Sequence, residues 1–308
     1  MTLPDAASGA VLQDATAGGL VADAAARLRE AGAPSPRLDA ELLVGHAFGR
    51  DRAWLRAHPD AELDGAGAQA LAGWVERREA GEPIAYIRGF KEWLSLRIAT
   101  DRRALIPRPE TELLAEAAIS EIAARLVRDD APIEAWEVAT GSGAVALALT
   151  LRFRTAMALG RLRLAASDLS AEALELASEN LAAHGVGGMV TLACGDLIEP
   201  AAIQGGRADL LIANLPYLTS AEVDVGIGSL AWEPRRALDG GADGLDLLRR
   251  LIAVLPDCLS RDGVALLEIG RGQAQDVRRA VSDLSVLTAV TTLPDLAGIE
   301  RVVRVART

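Results

Sequence analysis

Lysine is almost missing from this 308-residue chain: Lys91 is the only one, and arginine supplies the rest of the 32 basic residues. That skew reflects genome composition more than function. Against the basic residues stand 43 acidic ones, for a formal net charge of −11. Such a surface repels phosphate backbones, so stable nucleic-acid binding is excluded unless a local basic patch offsets the overall sign. Cysteine is scarce as well. Cys194 and Cys258 lie far apart without metal-ligand spacing and read as two buried free thiols of a cytoplasmic protein. His46, His58 and His184 form no local cluster, so no metal site is expected. Long apolar runs are also lacking. Residues 1–19 are rich in Ala and Gly, without a basic start or an apolar core, which argues against a signal peptide or membrane span and for a frayed tail.

What the chain does have is apolar residues at half of its positions, enough for a substantial core in two domains. Over residues 20–80 apolar residues recur at helical spacing, as in Leu20, Val21, Ala24, Ala25 and Leu28, and again in Leu38, Leu42, Leu43, Ala47 and Phe48. A bundle of four or five helices is expected there. Residues 81–104 read as a linking β-hairpin, with strands over 84–90 and 93–98. Residues 105–112 are stiffened by Pro107 and Pro109 and open a helix at Thr111. From Ile133 onward strands and helices alternate, with strands over 133–139, 162–167, 190–193, 209–213, 264–269, 286–292 and 300–305. This pattern predicts an α/β fold over residues 105–308: a doubly wound, mostly parallel seven-stranded sheet with ligands at the carboxyl ends of its strands.

Three strand ends carry chemistry. After the first comes Glu137, then Ala139, Thr140, Gly141, Ser142 and Gly143, with a helix beginning at once. Small residues at every second position bring backbone close to a ligand at a helix N-terminus. A carboxylate at 137 repels a pyrophosphate but suits a cationic amino-acid moiety, which favours S-adenosylmethionine over a nicotinamide cofactor. Asp168 ends the second strand, where a carboxylate holds a ribose diol or, alternatively, caps the next helix, a role Ser170 can share. Asp196, after the third strand, either meets an adenine amino group or caps a turn. The fourth strand ends in Asn214, Leu215, Pro216 and Tyr217. An Asn, a Pro-stiffened turn and an aromatic together suit holding a planar amide or amino nitrogen, although an ordinary Asn-x-Pro turn has the same form.

Longer segments point further. Residues 38–43 (Leu-Asp-Ala-Glu-Leu-Leu), 78–87, 105–113, 233–241 with Gly244 and Leu245, and Leu267, Glu268, Ile269, Gly270 with Gln273 together resemble the release-factor glutamine N5-methyltransferases over residues 20–308. The resemblance implies a methyltransferase sheet domain of the S-adenosylmethionine-dependent type behind a helical substrate-recognition domain. It implies methyl transfer to the side-chain amide of the Gln in the Gly-Gly-Gln loop of class 1 peptide-chain release factors. It places cofactor contacts on Ala139 to Gly143, Asp168, Leu197 and Asn214, and substrate contacts on Asn214, Leu215, Pro216 and Tyr217. Asn214 Oδ1 and the residue-215 carbonyl would each accept one amide N–H, Pro216 would hold residue 215 extended, and Tyr217 would pack on the amide plane.

The chain departs from the family's usual pattern at four positions. Leu215 replaces a Pro, Glu137 an Asp, Leu197 an aromatic of some members, and Ala139 the first Gly, a change tolerable only at negative φ. Two other readings therefore accompany the first. One is an adenine N6-methyltransferase acting on nucleic acid, which a basic stripe across the cleft would favour. The other is a catalytically weakened S-adenosylmethionine-binding protein serving as an interaction module. Arg108 and Glu110 either line the cleft or form a hinge ion pair. Residues 233–236 either bind the partner loop or shape a lid, and Trp232 reads as packing.

Overall fold

The computed structural model describes residues 16–128, 130–200, 206–226, 228–284 and 287–307. The chain divides into two compact units, Met1–Gly89 and Phe90–Thr308.

The first unit is helical: α1 (Ala17–Glu30), α2 (Pro36–Phe48), α3 (Arg52–Ala57), α4 (Gly65–Glu79) and α5 (Ile84–Arg88). Leu20, Leu28, Leu43, Val44, Leu71 and Val75 form its core. Thr16 Oγ1 caps α1 by accepting from the Gly19 N–H, so residues 17–19 are helical where a tail over 1–19 was expected. Residues 1–15 of that expected tail lie outside the described residues. Two segments singled out in the sequence meet here: Asp39 of α2 pairs with Arg78 of α4 at 2.8 Å, both side chains nearly buried.

Residues 84–88 are a short helix rather than the expected strand. Pro83, at φ −59, precedes it and Gly89, left-handed at φ 75, ends it. The Pro-start, Gly-stop punctuation outweighs the period-two apolar pattern, and Ala85, Tyr86 and Ile87 are buried in helical form. The hairpin is accordingly confined to β1 (Phe90–Trp93) and β2 (Leu96–Ala99), antiparallel and closed by a two-residue turn in which Leu94 and Ser95 both have positive φ. That turn geometry matches the twist of paired strands. Trp93 is buried, and its Nε1 donates to the Arg108 carbonyl at 2.9 Å.

The rest of the second unit runs α6 (Glu110–Arg128), β3 (Ile133–Val138), α7 (Ala144–Arg152), α8 (Arg154–Ala158), β4 (Leu162–Asp168), α9 (Ala171–Ala183), β5 (Val190–Cys194), β6 (Ala208–Ala213), α10 (Ser220–Val225), α11 (Asp246–Cys258), β7 (Leu259–Glu268), α12 (Ala274–Ser282), β8 (Leu287–Pro294) and β9 (Glu300–Arg307). The seven strands order as β5-β4-β3-β6-β7-β9-β8. The first five are parallel; β9 runs antiparallel to β7 and β8 antiparallel to β9. Strands β3 and β6 are buried along nearly their whole length, as central strands covered on both faces must be. Residues of α6 and α7 pack into the core on one side of the sheet, and those of α11 and α12 into a second core on the other. The strand order reverses direction between β3 and β6, which makes a crevice at their carboxyl ends.

Cys258 is buried as expected, but Cys194 is exposed. It sits at the last position of β5, an edge strand, so half of its surroundings are solvent. Among the described residues no group of His, Cys, Asp or Glu could hold a metal ion, and no helix is long and apolar enough to cross a membrane.

Candidate functional site

A cleft opens at that crevice and encloses about 1060 Å³, its open mouth included. Its walls include Glu137, the turn from Ala139 to Ser142, Asp168, Asp196, Leu197, Asn214, Leu215 and Pro216. Three strands explain this convergence, since β4, β3 and β6 are adjacent and end side by side. Gly143 is buried beneath the turn, and Tyr217 stands outside the cleft wall with its ring against Gly270.

The turn after β3 is left-handed at alternate residues: Ala139 at φ 59, Gly141 at φ 55 and Gly143 at φ 75. Gly143 has a second constraint, because a Cβ there would sit 2.8 Å from the Ala177 Cβ on α9. Ala139 contradicts the expectation of a negative φ. The turn bends at this point although an L residue occupies it, and its N–H groups are tied back: Thr140 to the Ser167 carbonyl, Gly141 to Asp168 and Gly143 to the Thr140 carbonyl. Leu197 has the same left-handed backbone at φ 50. An L residue pays about 1–2 kcal/mol there. Ala139→Gly is therefore expected to stabilise the protein by roughly 0.5–1 kcal/mol, once the greater freedom of the unfolded Gly is subtracted. A lower urea midpoint for this variant would contradict the reading.

Gly143 precedes helix α7 and offers no side-chain cap, so the start of the helix borders the cleft with only Glu137 facing its Ala146 N–H. Glu137 Oε2 and Thr140 Oγ1 are buried on the wall and complete no hydrogen bond, although the Thr140 hydroxyl and the Ala146 N–H of α7 both face the Glu137 carboxyl. Burial pushes the Glu137 carboxyl up to about 8, and the nearby Asp168 charge adds to the rise. A buried carboxylate oxygen and a hydroxyl that complete no hydrogen bond, beside the start of a helix, fit a ligand bearing a cationic amino group and a carboxylate. The donor set thus suits the amino-acid end of S-adenosylmethionine.

Burial also pushes Glu268 up to about 7. Both folded values exceed the usual carboxylate range, so between about pH 5 and pH 8 the folded state holds protons that the unfolded chain has released. The associated stability is present at low pH and lost as pH rises through that window. Without ligand, Glu137→Gln is expected to flatten the decline by up to about 1.4 kcal/mol per pH unit. Urea midpoints from pH 5.5 to 8.5 measure this, and identical slopes would show that Glu137 does not titrate there.

Asp168 accepts from the Gly141 N–H through Oδ2 and from the Ser170 N–H through Oδ1, both at 2.9 Å. Its carboxylate is thus locked against the turn of the neighbouring strand. The helix-capping role falls to Ser170, whose Oγ accepts from the Ala173 N–H. Asp196 pairs with Arg250 at 2.6 Å while lining the cleft.

Leu215 inserts into the core around α11, together with Leu245, Leu248 and Ile252, and is only 1% exposed. Asn214 Nδ2 donates to Thr111 Oγ1 at 3.0 Å, and among the described residues nothing donates to Oδ1. Burial holds the Tyr217 phenol up at about 12, with the Glu268 charge adding to the effect, so this phenol stays neutral.

The glycine-rich segment after residue 238 braces this turn. Leu218 is held twice by that segment: its N–H donates to the Leu238 carbonyl at 3.1 Å and its carbonyl accepts from the Gly240 N–H at 2.8 Å. A Cβ on Gly244 would lie 2.3 Å from the Tyr217 carbonyl oxygen. Gln273 completes the brace: Nε2 donates to the Tyr217 and Gly244 carbonyls, and Oε1 accepts from the Gly270 N–H.

Glu233 ties the two sides of the cleft mouth together. It accepts from the Ile106 N–H at 3.0 Å and from Arg108 Nη2 at 2.5 Å. Arg108 therefore lines the cleft and forms an ion pair, but with Glu233 instead of Glu110, which lies 3.7 Å from Arg301. Trp232 carries the Arg102 guanidinium 4.6 Å above its ring. Sequence reasoning missed Thr111, Asn180 and the bracing role of Gln273. Asn180 is buried on α9 and donates to the carbonyls of Ser142 and Ala99, fastening the turn to the hairpin. A buried Asn on an otherwise apolar helix face was the only available signal.

Residues 20–89 match the family model described as the PrmC N-terminal domain. Release factor glutamine methyltransferases from three bacteria are similar along nearly the whole chain. That of Moorella thermoacetica is 37% identical, covering 91% of this chain and 94% of its own. That of Deinococcus radiodurans is 37% identical, covering 94% and 97%. That of Xylella fastidiosa is 38% identical, covering 86% and 91%. Among solved structures, the hMettl16 catalytic domain in complex with MAT2A 3'UTR hairpin 6 shares the fold, with a TM-score of 0.52 and 12% identity over 78% of this chain and 81% of that one. With full-length relatives at this level of identity, the chain belongs to the release factor glutamine methyltransferase family.

Proposed function

We propose that this protein transfers the methyl group of S-adenosylmethionine to the side-chain amide nitrogen, N5, of the Gln in the Gly-Gly-Gln loop of class 1 peptide-chain release factors, in the cytoplasm. The carrying observation is that one cleft joins two unlike sets of groups. One is the turn with Glu137 Oε2 and Thr140 Oγ1 buried and completing no hydrogen bond; the other is Asn214 with its Oδ1 unbonded among the described residues.

When bound, the cofactor supplies an already activated methyl group on a sulfonium. Glu137 and Thr140 would hold its amino-acid end beside the start of α7, and Asp168 its ribose. An amide nitrogen is a poor nucleophile because its lone pair is delocalised. Asn214 Oδ1 and the Leu215 carbonyl accept its two N–H groups and turn the nitrogen toward the methyl group. Pro216 keeps residue 215 extended, while Tyr217, whose ring lies against Gly270 outside the cleft wall, supports the turn from behind. Such a displacement is limited by positioning, so no side chain is assigned as general base. The helical unit over residues 20–80 recognises the protein substrate.

A nucleic-acid substrate gains little from the cleft rim. Arg102, Arg103, Arg235 and Arg236 do gather there. However, Arg103 is held by Asp101 and Glu179, Arg235 by Asp224 and Asp239, and Arg102 lies on Trp232. Arg236 acts on Asp168. Two of the four guanidiniums are thus neutralised by carboxylates of the chain itself.

The test combines purified protein, methyl-labelled cofactor, and either release factor or a version with its loop Gln replaced by Ala. Label on the unmodified release factor alone is expected. Label on both, or on neither, would overturn the proposal. Labelling of an adenine-containing oligonucleotide instead would favour the nucleic-acid reading, and weak cofactor binding by calorimetry would favour the interaction module.

A further inference from the structure

Asparagine presents a donor at one end of its amide and an acceptor at the other, and only its surroundings decide which end faces a ligand. Asn214 must offer Oδ1 to an incoming N–H. The residue that meets the opposite end is Thr111, in the first turn of α6, 103 positions away in sequence. Thr111 is 6% exposed and lines the same cleft.

A hydroxyl can donate or accept, so Thr111 alone would leave the amide direction open. Behind it stands Glu268, the last residue of β7, beside the end of β6 because Ala213 pairs with Leu267. Glu268 is 1% exposed, and neither carboxyl oxygen completes a hydrogen bond. The Thr111 hydroxyl faces this carboxyl, and Glu110, Arg301, Arg108 and Tyr217 surround it. A hydroxyl proton rotates toward an unsatisfied buried acceptor. The Thr111 oxygen then has only lone pairs left for Asn214, and Nδ2 must be the end that meets it.

We propose that Thr111 is a positioning residue that sets the direction of the Asn214 amide, with Glu268 behind it setting the direction of the Thr111 hydroxyl. This rests on the proposed methyl transfer to an amide. Protonated Glu268 can donate to Thr111, which then donates to Asn214 and favours the reversed amide. The productive direction therefore strengthens as pH rises through the Glu268 titration near 7.

The experiment measures kcat, KM for release factor and cofactor affinity for the unmodified protein, Thr111→Val, Thr111→Ser and Glu268→Gln from pH 6 to 8.5. Thr111→Val keeps the shape but loses the hydroxyl, and is expected to lower kcat about tenfold or more, with KM and cofactor affinity within about threefold. Thr111→Ser should recover most of kcat. Glu268→Gln should remove the acid limb of the kcat profile, since Gln can either donate or accept. Thr111→Val with unchanged kcat, or Thr111→Ser as slow as Thr111→Val, would overturn the role of Thr111. An acid limb surviving in Glu268→Gln would overturn that of Glu268. No transfer by the unmodified protein would overturn the functional reading itself, a result distinct from these.

Discussion

Asn214→Ala should lower kcat for release-factor methylation by about a hundredfold or more while cofactor affinity changes by less than about tenfold. The asymmetry follows from where the side chain works. On the proposed cofactor side the cleft is lined by Ala139 to Ser142, Asp168 and Leu197, all of which remain. On the acceptor side, Oδ1 is the side-chain group available to take an amide N–H, and Ala removes it. Misplacing a reacting atom by about 1 Å can cost a hundredfold. Thr111 would also lose the donor it accepts from, so small adjustments of the first turn of α6 are expected in a structure of the variant. Methyl-transfer kinetics with labelled cofactor, beside calorimetric cofactor titration, give both numbers. Equal transfer rates for variant and parent would remove Asn214 from the mechanism. A loss confined to cofactor affinity would place it on the other side of the cleft.

Gly244→Ala is expected to destabilise the protein by about 3 kcal/mol and to abolish most methyl transfer. Two costs combine. The backbone is left-handed at φ 76, which an L residue occupies at about 1–2 kcal/mol. The new Cβ would also fall 2.3 Å from the Tyr217 carbonyl oxygen and 2.9 Å from Gln273 Nε2. Overpacking of this kind commonly costs about 1–3 kcal/mol. Relief requires the Tyr217 carbonyl to move, which breaks its bond from Gln273 and shifts the turn carrying Leu215 and Pro216. Urea unfolding measures the first effect and label transfer the second. A stable variant with full activity would show that the glycine-rich segment does not brace the acceptor turn.

Much of the sheet unit was legible because its signals are local. Alternating apolar runs and helical patterns located all seven strands, and the small residues at 139–143 marked a close backbone approach at a strand end. Local rules that compete were harder to rank. The run at residues 84–88 satisfies a strand pattern, but Pro83 and Gly89 bracket a helix there. Ala139 shows the limit of residue identity as a guide to φ. A non-glycine argues for negative φ, yet the position is set by the bend the turn must make, and the backbone is left-handed.

The sequence by itself determined the fold class, the places of the seven sheet strands along the chain, and the presence of Asn214, Leu215 and Pro216 at a strand end beside a glycine-rich turn. These follow from periodicity and turn chemistry within some ten residues. The tertiary structure alone decided which groups meet across long separations. It brought Thr111 to Asn214, joined Glu233 to Ile106 and Arg108, and set Gln273 against the Tyr217 carbonyl. Such contacts depend on strand order and on the direction of each hydrogen bond, and neither leaves a periodic trace in the chain. That is why the strand-end residues 214 to 216 could be singled out from sequence, while the hydrogen bond from Asn214 to Thr111 appeared only once β6, β7 and α6 stood side by side.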